Sequence, residues 1–355
     1  MTFILPHIEQ LSTYVLGEHP PDGSSVLKLN QNESPYPPAQ LVLETLRTIG
    51  EESIRRYPDT ACGELRAALS HRHNVKEEQV FCGNGSSEII SLIIKVFVGP
   101  GRCIAIPDPS FSLYHSVAAS YQAASIRIPL RDDYTIDTDL LIRSEADVLV
   151  LVNPNAPTGR LLPLVEVEQI VSQFRGLVVI DEAYMDFATP GSSALPLAQR
   201  YENVLILRTF SKAYALCGAR VGYCIARKQL ISALEKGKDI YNINAISQRL
   251  AEAALRAQTY TDRTIAATKL TRDAFSAELE QLEFEVLPSH TNFVLCTPPS
   301  GPEKYTAREL YQELIKRNIY VRHFEHPRLS DKLRISIGTD EEMRLVTTAL
   351  SELLN

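Results

Sequence analysis

The sequence predicts an α/β protein: a large unit built on a mostly parallel sheet between helices, followed by a smaller α+β unit. Three observations predict it. First, Val148-Leu149-Val150-Leu151-Val152 and Leu177-Val178-Val179-Ile180 are continuous apolar runs, and Val204-Leu205-Ile206-Leu207 is a third. Strands without alternation are covered on both faces, which is the habit of parallel sheets. Second, helical stripes lie between such runs: Val167, Ile170, Val171 and Phe174 share one helix face. Third, the pattern changes after residue 245. Ile246 to Leu282 is rich in Ala, Leu, Arg and Glu without Pro or Gly, which predicts one or two long helices.

Taken in order, residues 1–29 read as an N-terminal arm, and the Pro-rich stretch Pro35 to Pro38 marks where it joins the large unit, residues 30–245. Glu88 to Val98 is apolar and helical. The small unit, residues 246–355, continues with strand-like pieces at Asn292 to Cys296 and Leu333 to Ile337. A helix over Thr306 to Arg317 and a last helix from Asp340 complete it.

A chain of 355 residues is long enough for two cores. No apolar run approaches the roughly 18 residues that a membrane span needs, and Met1 to Tyr14 does not read as a signal peptide. The net charge of −7 argues against nucleic acid as a partner. Cysteines at 62, 82, 103, 217, 224 and 296 include no Cys-x-x-Cys pair. They read as reduced thiols in a cytoplasmic protein, forming neither a disulfide framework nor a zinc site. His323 and His326 have a spacing that metal sites use but lack a third ligand nearby, so no metal is expected; His71 and His73 read as solvated on a polar helix.

Each of the three apolar strands ends in a polar cluster. Asn153-Pro154-Asn155-Ala156-Pro157-Thr158-Gly159 follows the first; Asp181, Glu182 and Tyr184 follow the second; Arg208, Thr209, Ser211 and Lys212 follow the third. Ligands of open α/β sheets bind beyond the carboxyl ends of strands, so three such ends predict one shared site. Taken alone, Asp181 has a bland alternative as a helix N-cap. A nucleotide-hydrolase reading of Asp181-Glu182 needs a Gly-x-x-x-x-Gly-Lys-Ser/Thr loop upstream, and none is present. Gly83-Asn84-Gly85-Ser86-Ser87 leads into a helix whose first N–H groups could cradle a phosphate, or could simply be capped. Most lysines are solvated. Lys212, however, sits just past a buried strand among small residues, a setting in which an amine can be held in a pocket and made nucleophilic. Arg220 offers a fixed fork for phosphate.

The run Ser211-Lys212-x-x-x-Leu216-x-Gly218-x-Arg220, with Asp181-Glu182-Ala183-Tyr184 upstream, resembles the fold-type I pyridoxal-phosphate aminotransferases. Within them it is most like the histidinol-phosphate aminotransferase branch. The likeness runs from Asn30-Gln31-Asn32-Glu33-Ser34-Pro35 to Leu333-Arg334-Ile335-Ser336-Ile337-Gly338-Thr339. It implies that Lys212 carries pyridoxal 5′-phosphate as a Schiff base and later shuttles a proton, and that Asp181 pairs with the protonated pyridine nitrogen. Tyr184 would bond the ring hydroxyl, and Phe111 would stack on the ring. Gly85, Ser86, Ser87, Thr209, Ser211 and Arg220 would hold the phosphate, with Tyr57 reaching it from the neighbouring subunit of a homodimer. Arg334 would bind the carboxylate of glutamate, while Arg322, Tyr14 and Asn32 are further substrate-binding candidates.

The sequence departs from the family pattern at one position. The asparagine usually placed directly before Pro-Thr-Gly is Ala156 here, and Asn155 is the nearest candidate for its ring contact. The resemblance implies exchange of an amine between histidinol phosphate and 2-oxoglutarate, with glutamate as the other amine carrier. A decarboxylase resembling the threonine-phosphate enzyme, or an aromatic aminotransferase, could use the same scaffold, because substrate contacts decide which Cα bond breaks.

Overall fold

The computed structural model describes residues 3–13, 17, 18, 20, 26–302 and 304–354. In chain order the strands are β1 (Leu27–Lys28), β2 (Val80–Gly83), β3 (Cys103–Asp108), β4 (Ala124–Pro129), β5 (Val148–Val152), β6 (Leu177–Asp181) and β7 (Val204–Thr209). They continue with β8 (Gly222–Ala226), β9 (Glu285–Val286), β10 (Phe293–Thr297), β11 (Ile319–Tyr320), β12 (Arg322–His323) and β13 (Leu333–Ser336).

Seven strands form one sheet in the order β2-β8-β7-β6-β5-β3-β4. β8 runs antiparallel to both its neighbours, and the other pairs are parallel. The continuous apolar runs supply both faces by simple alternation. Val148, Val150 and Val152 pack into one core with Val179, Leu205 and Leu207. Leu149 and Leu151 pack into a second core with Val178, Ile180, Val204 and Ile206. Side chains at successive strand positions point to opposite faces, so an unbroken apolar run is what a sheet buried on both sides requires. The helix Leu164–Gln173 adds Val167, Ile170 and Val171 to the second core.

Later in the chain a separate core forms, although the first helix past residue 245 still packs into the large unit's first core through Leu250, Ala251 and Leu255. The predicted long helical stretch is two helices, Ala245–Arg256 and Gln258–Gln281. Phe275 and Leu279 pack there with Val294 of β10, Leu314, Ile335 of β13, Val346 and Leu350. The helix Ala307–Lys316 opens on a capping box, in which Thr306 Oγ1 accepts the Glu309 N–H while Glu309 accepts the Thr306 N–H. The last helix is Asp340–Leu354. β1 pairs in parallel with β11, and Leu29 joins this C-terminal core, so the last residues of the expected arm pack with the small unit. Among the described residues no helix is long and apolar enough to cross a membrane.

Candidate functional site

The polar strand ends converge. A cavity of about 780 Å³ opens beyond the carboxyl ends of β5, β6 and β7, lined by Val152, Asp181 and Thr209 from those ends and by Tyr184, Ser211 and Lys212 just past them. Ser86, Ser87 and Phe111 close one side; Asn32, Arg322 and Arg334 close another.

Asp181 ends β6 and is almost fully buried. One carboxylate oxygen accepts the Tyr114 hydroxyl at 2.9 Å, and the other accepts the Ala183 N–H at 3.2 Å. Burial pushes this acid up to about 6, with Glu182 adding to the push, while the two hydrogen bonds oppose it. A buried carboxyl in this condition suits a ligand that brings its own positive charge, as a protonated pyridine nitrogen does.

Tyr184 lies three residues on. Its hydroxyl accepts from Asn32 Nδ2 at 2.8 Å, and its ring meets the edge of Phe293 at 5.2 Å. Asn32 takes a left-handed φ of 55° and is itself pinned: its Oδ1 accepts from Ser336 Oγ at 3.0 Å, and its carbonyl accepts from Asn292 Nδ2 at 3.0 Å. Asn32 thereby connects β13 to the residues following β6. Lys212 Nζ donates to the Gln31 carbonyl at 2.9 Å and lies 5.8 Å from the centre of the Tyr184 ring.

The phosphate-like cradle is built by close backbone approach. The helix Gly85–Ile93 starts three residues earlier than the apolar run alone indicates, and continues as a π turn over Ile94–Val98. Its first-turn N–H groups have no partner within the helix, and they sit beside Ser86 and Ser87 at the cavity wall. Gly85 has a φ of +74°, and a Cβ there would run into the Arg220 guanidinium. A Cβ on Gly222 of β8 would lie 2.5 Å from the Ser86 nitrogen. Thr209 Oγ1 donates to Ser211 Oγ at 3.0 Å, and Arg220 Nη1 donates to the same hydroxyl at 3.3 Å. Two hydroxyls and a guanidinium thus face the helix start, a donor set that fits a phosphate dianion.

Arg322 and Arg334 are register partners on β12 and β13, and each lies 5.5 Å from the centre of the Phe324 ring. Arg334 also donates to the Asn30 carbonyl at 2.8 Å.

Two expectations, those for Asn155 and His73, come out differently. Asn155 does not line the cavity; Ala156 and Pro157 do. Its carboxamide is consumed by the loop, accepting from Ser110 at 2.6 Å and donating to the Pro109 carbonyl and to Thr158. Tyr57, expected at a neighbouring subunit's site, does not line the cavity of its own chain: it is 81% exposed and stacked on Tyr241 at 4.3 Å. His73 is half-buried rather than solvated, bonded to the Tyr223 hydroxyl at 2.9 Å and pushed down to about 3 by burial. Tyr14 lies outside the described residues. His323 and His326 do not converge, since the first bonds the Ser330 carbonyl and the second Asp108. Among the described residues no three His, Cys, Asp or Glu side chains are grouped to hold a metal.

Sequence reasoning missed Tyr114, Gln31, Ser336 and Asn292. Nothing local marks them, because their partners are 67 to 304 residues away.

Residues 24–350 match the family model for class I and II aminotransferases. The chain is 40% identical over 348 residues to histidinol-phosphate aminotransferase 1 of Trichormus variabilis, covering 98% of each. The crystal structure of histidinol-phosphate aminotransferase from Sinorhizobium meliloti, in complex with pyridoxal-5′-phosphate, superposes with a TM-score of 0.90 at 26% identity. That match covers 100% of this chain and 98% of that one. L-threonine-O-3-phosphate decarboxylase from Porphyromonas gingivalis superposes with a TM-score of 0.82 over 93% of this chain and 99% of its own. At 24% identity that likeness is one of fold alone.

Proposed function

Because the chain belongs to the class I and II aminotransferase family, we propose that it exchanges an amine between histidinol phosphate and 2-oxoglutarate, using pyridoxal phosphate held at Lys212. The observation that carries the substrate reading is the Arg322–Arg334 pair in the wall of the Lys212 cavity. Two guanidiniums side by side in a cavity wall make a positive patch that favours anionic ligands. Glutamate brings two carboxylates and histidinol phosphate brings a phosphate, so the pair has work in both half-reactions. The 40% identity to a relative bearing the histidinol-phosphate name supports the same choice.

Bound here, pyridoxal phosphate supplies an electron sink for the carbon that carries the amine. The residues of the chain supply the rest. Asp181 offers a buried carboxylate to the ring nitrogen. Tyr184, oriented by Asn32, offers its hydroxyl to the ring oxygen, and Phe111 offers its face to the ring. Asn155 instead ties the 153–159 loop to Ser110 and Pro109, so Tyr184 carries the ring-oxygen contact without it. Gly85, Ser86, Ser87, Thr209, Ser211 and Arg220 hold the phosphate. Lys212 Nζ rests on the neutral Gln31 backbone carbonyl, and among the described residues no carboxylate pairs with it. When substrate arrives its Nζ moves the proton off the substrate carbon and returns it. Arg334 binds the substrate carboxylate as a bidentate fork, and Arg322 binds the phosphate.

Tyr57 belongs to a second subunit's site in this reading, because its own cavity does not contain it. The exposed Ile54, Tyr57, Ile240 and Tyr241 give a homodimer an apolar face to cover. Six free cysteines fit a reducing, cytoplasmic setting. The test is borohydride reduction followed by mass spectrometry: the cofactor becomes fixed to Lys212, and Lys212→Ala carries no label. A label that persists on another lysine contradicts the assignment.

A further inference from the structure

We propose that Tyr114 is a positioning residue for Asp181, holding the carboxylate in place and ionised for the ring nitrogen of the cofactor. This rests on the reading of Asp181 as the partner of that nitrogen. Tyr114 is fully buried, on the helix Leu113–Ser120, and sits among the first core's apolar side chains. A phenylalanine would fill the same space. The hydroxyl is therefore the informative part, and a buried phenol must find a partner. It finds Asp181 Oδ2 at 2.9 Å.

Among the described residues, each polar group around that carboxylate has a defined role. Tyr114 takes one oxygen, and the Ala183 N–H takes the other. Glu182 is the next residue but is consumed by Arg208 and Ser193. Lys212, in the same cavity, donates to Gln31. Tyr114 is thus the one side chain that donates to Asp181 among the described residues. Burial and the adjacent carboxylate hold the phenol well above its ordinary range, so it stays protonated and can only donate. A donor that never titrates favours the ionised acid against the pull of burial. The same four-residue segment carries Phe111, whose ring meets Tyr114 edge-on at 6.3 Å, so one short turn sets both the stacking ring and the carboxylate.

Tyr114→Phe keeps the packing and removes the donor. Pyridoxal phosphate titrated into the apoprotein should bind roughly tenfold or more weakly in this variant. In an Asp181→Asn background the same substitution should cost under about threefold, because the charge it serves is gone. In the apoprotein, the pH at which Asp181 titrates should also rise in Tyr114→Phe, read from the side-chain carboxyl carbon by NMR. Equal losses in both backgrounds, or no loss in either, would mean that Tyr114 only fills space. If Asp181→Asn alone leaves cofactor affinity unchanged, the reading of Asp181 fails and this proposal fails with it. If Asp181→Asn weakens binding while Tyr114→Phe does not, only the role given to Tyr114 is lost.

Discussion

Arg322 and Arg334 stand directly opposite each other across the antiparallel pair β12–β13, and both reach the cavity that holds Lys212. Like charges in this relation weaken a sheet, and Phe324, within 5.5 Å of each guanidinium, packs against both. In the function proposed here, the pair receives two anionic groups of the substrates.

The two arginines should separate by substrate. Arg334→Gln is expected to raise KM for glutamate and 2-oxoglutarate by roughly 10- to 100-fold, the worth of a charge-assisted fork. Arg322→Gln should raise KM for the phosphorylated amine more than for glutamate. Arg334→Lys should not restore the loss, because an ammonium cannot make two parallel bonds. Steady-state KM values for each substrate decide the matter; equal effects of both variants on both substrates would merge the two subsites.

Asp181 should make the apoprotein lose stability as pH rises. Its folded value is pushed from 3.8 to about 6, so the folded chain binds this proton more tightly than the unfolded chain. The stabilisation is complete below the unfolded value near 4 and is lost as pH rises through 6, amounting to about 3 kcal/mol. Urea denaturation of the apoprotein between pH 4 and 7, compared with Asp181→Asn, reads this directly. Parallel curves for the two proteins would show that the acid does not titrate as described.

Gly85→Ala should damage cofactor binding more than folding. A methyl group there meets the Arg220 guanidinium, and a φ of +74° disfavours any side chain. Moving the arginine costs the cradle one of its donors. Cofactor affinity is expected to fall at least tenfold, measured by titration, while the thermal midpoint drops by only a few degrees. Unchanged affinity would remove Gly85 and Arg220 from the phosphate site.

Behind the site, Glu182 and Arg208 form a buried pair at 2.6 Å, with Ser193 and the Ala194 N–H also bonded to Glu182. Removing Glu182 leaves the buried Arg208, among the described residues, with only the longer ion pair to Asp186, at 3.6 Å. Glu182→Ala should destabilise the protein by about 3–5 kcal/mol, and the Glu182→Ala, Arg208→Leu double variant should recover part of that. Denaturant midpoints provide the check.

Much of the fold could be read from the chain because the signals were local. Continuous apolar runs mark β5, β6 and β7 in the sequence itself, since a strand buried on both faces needs no alternation. The Lys212 and Asp181 motifs were legible because both residues lie at strand ends, where the fold places ligands. Asn155 was misleading for a physical reason: its amide satisfies its own loop, and sequence proximity to the ring contact says nothing about which way it turns. Tyr114 and Ser336 were invisible because their partners are brought to them only by the sheet and by the return of β13 past Asn32. His73 looked solvated on a polar helix, yet the packing of that helix against Tyr223 buries it.

The most direct test of the account is a single half-reaction. L-Histidinol phosphate is added to the cofactor-loaded protein without any keto acid, and the cofactor's absorbance is followed. Conversion of the yellow aldehyde-derived form to the amine form, reversed by 2-oxoglutarate, is the predicted result. An unchanged spectrum, with a normal response to threonine phosphate or phenylalanine, would contradict the substrate assigned here.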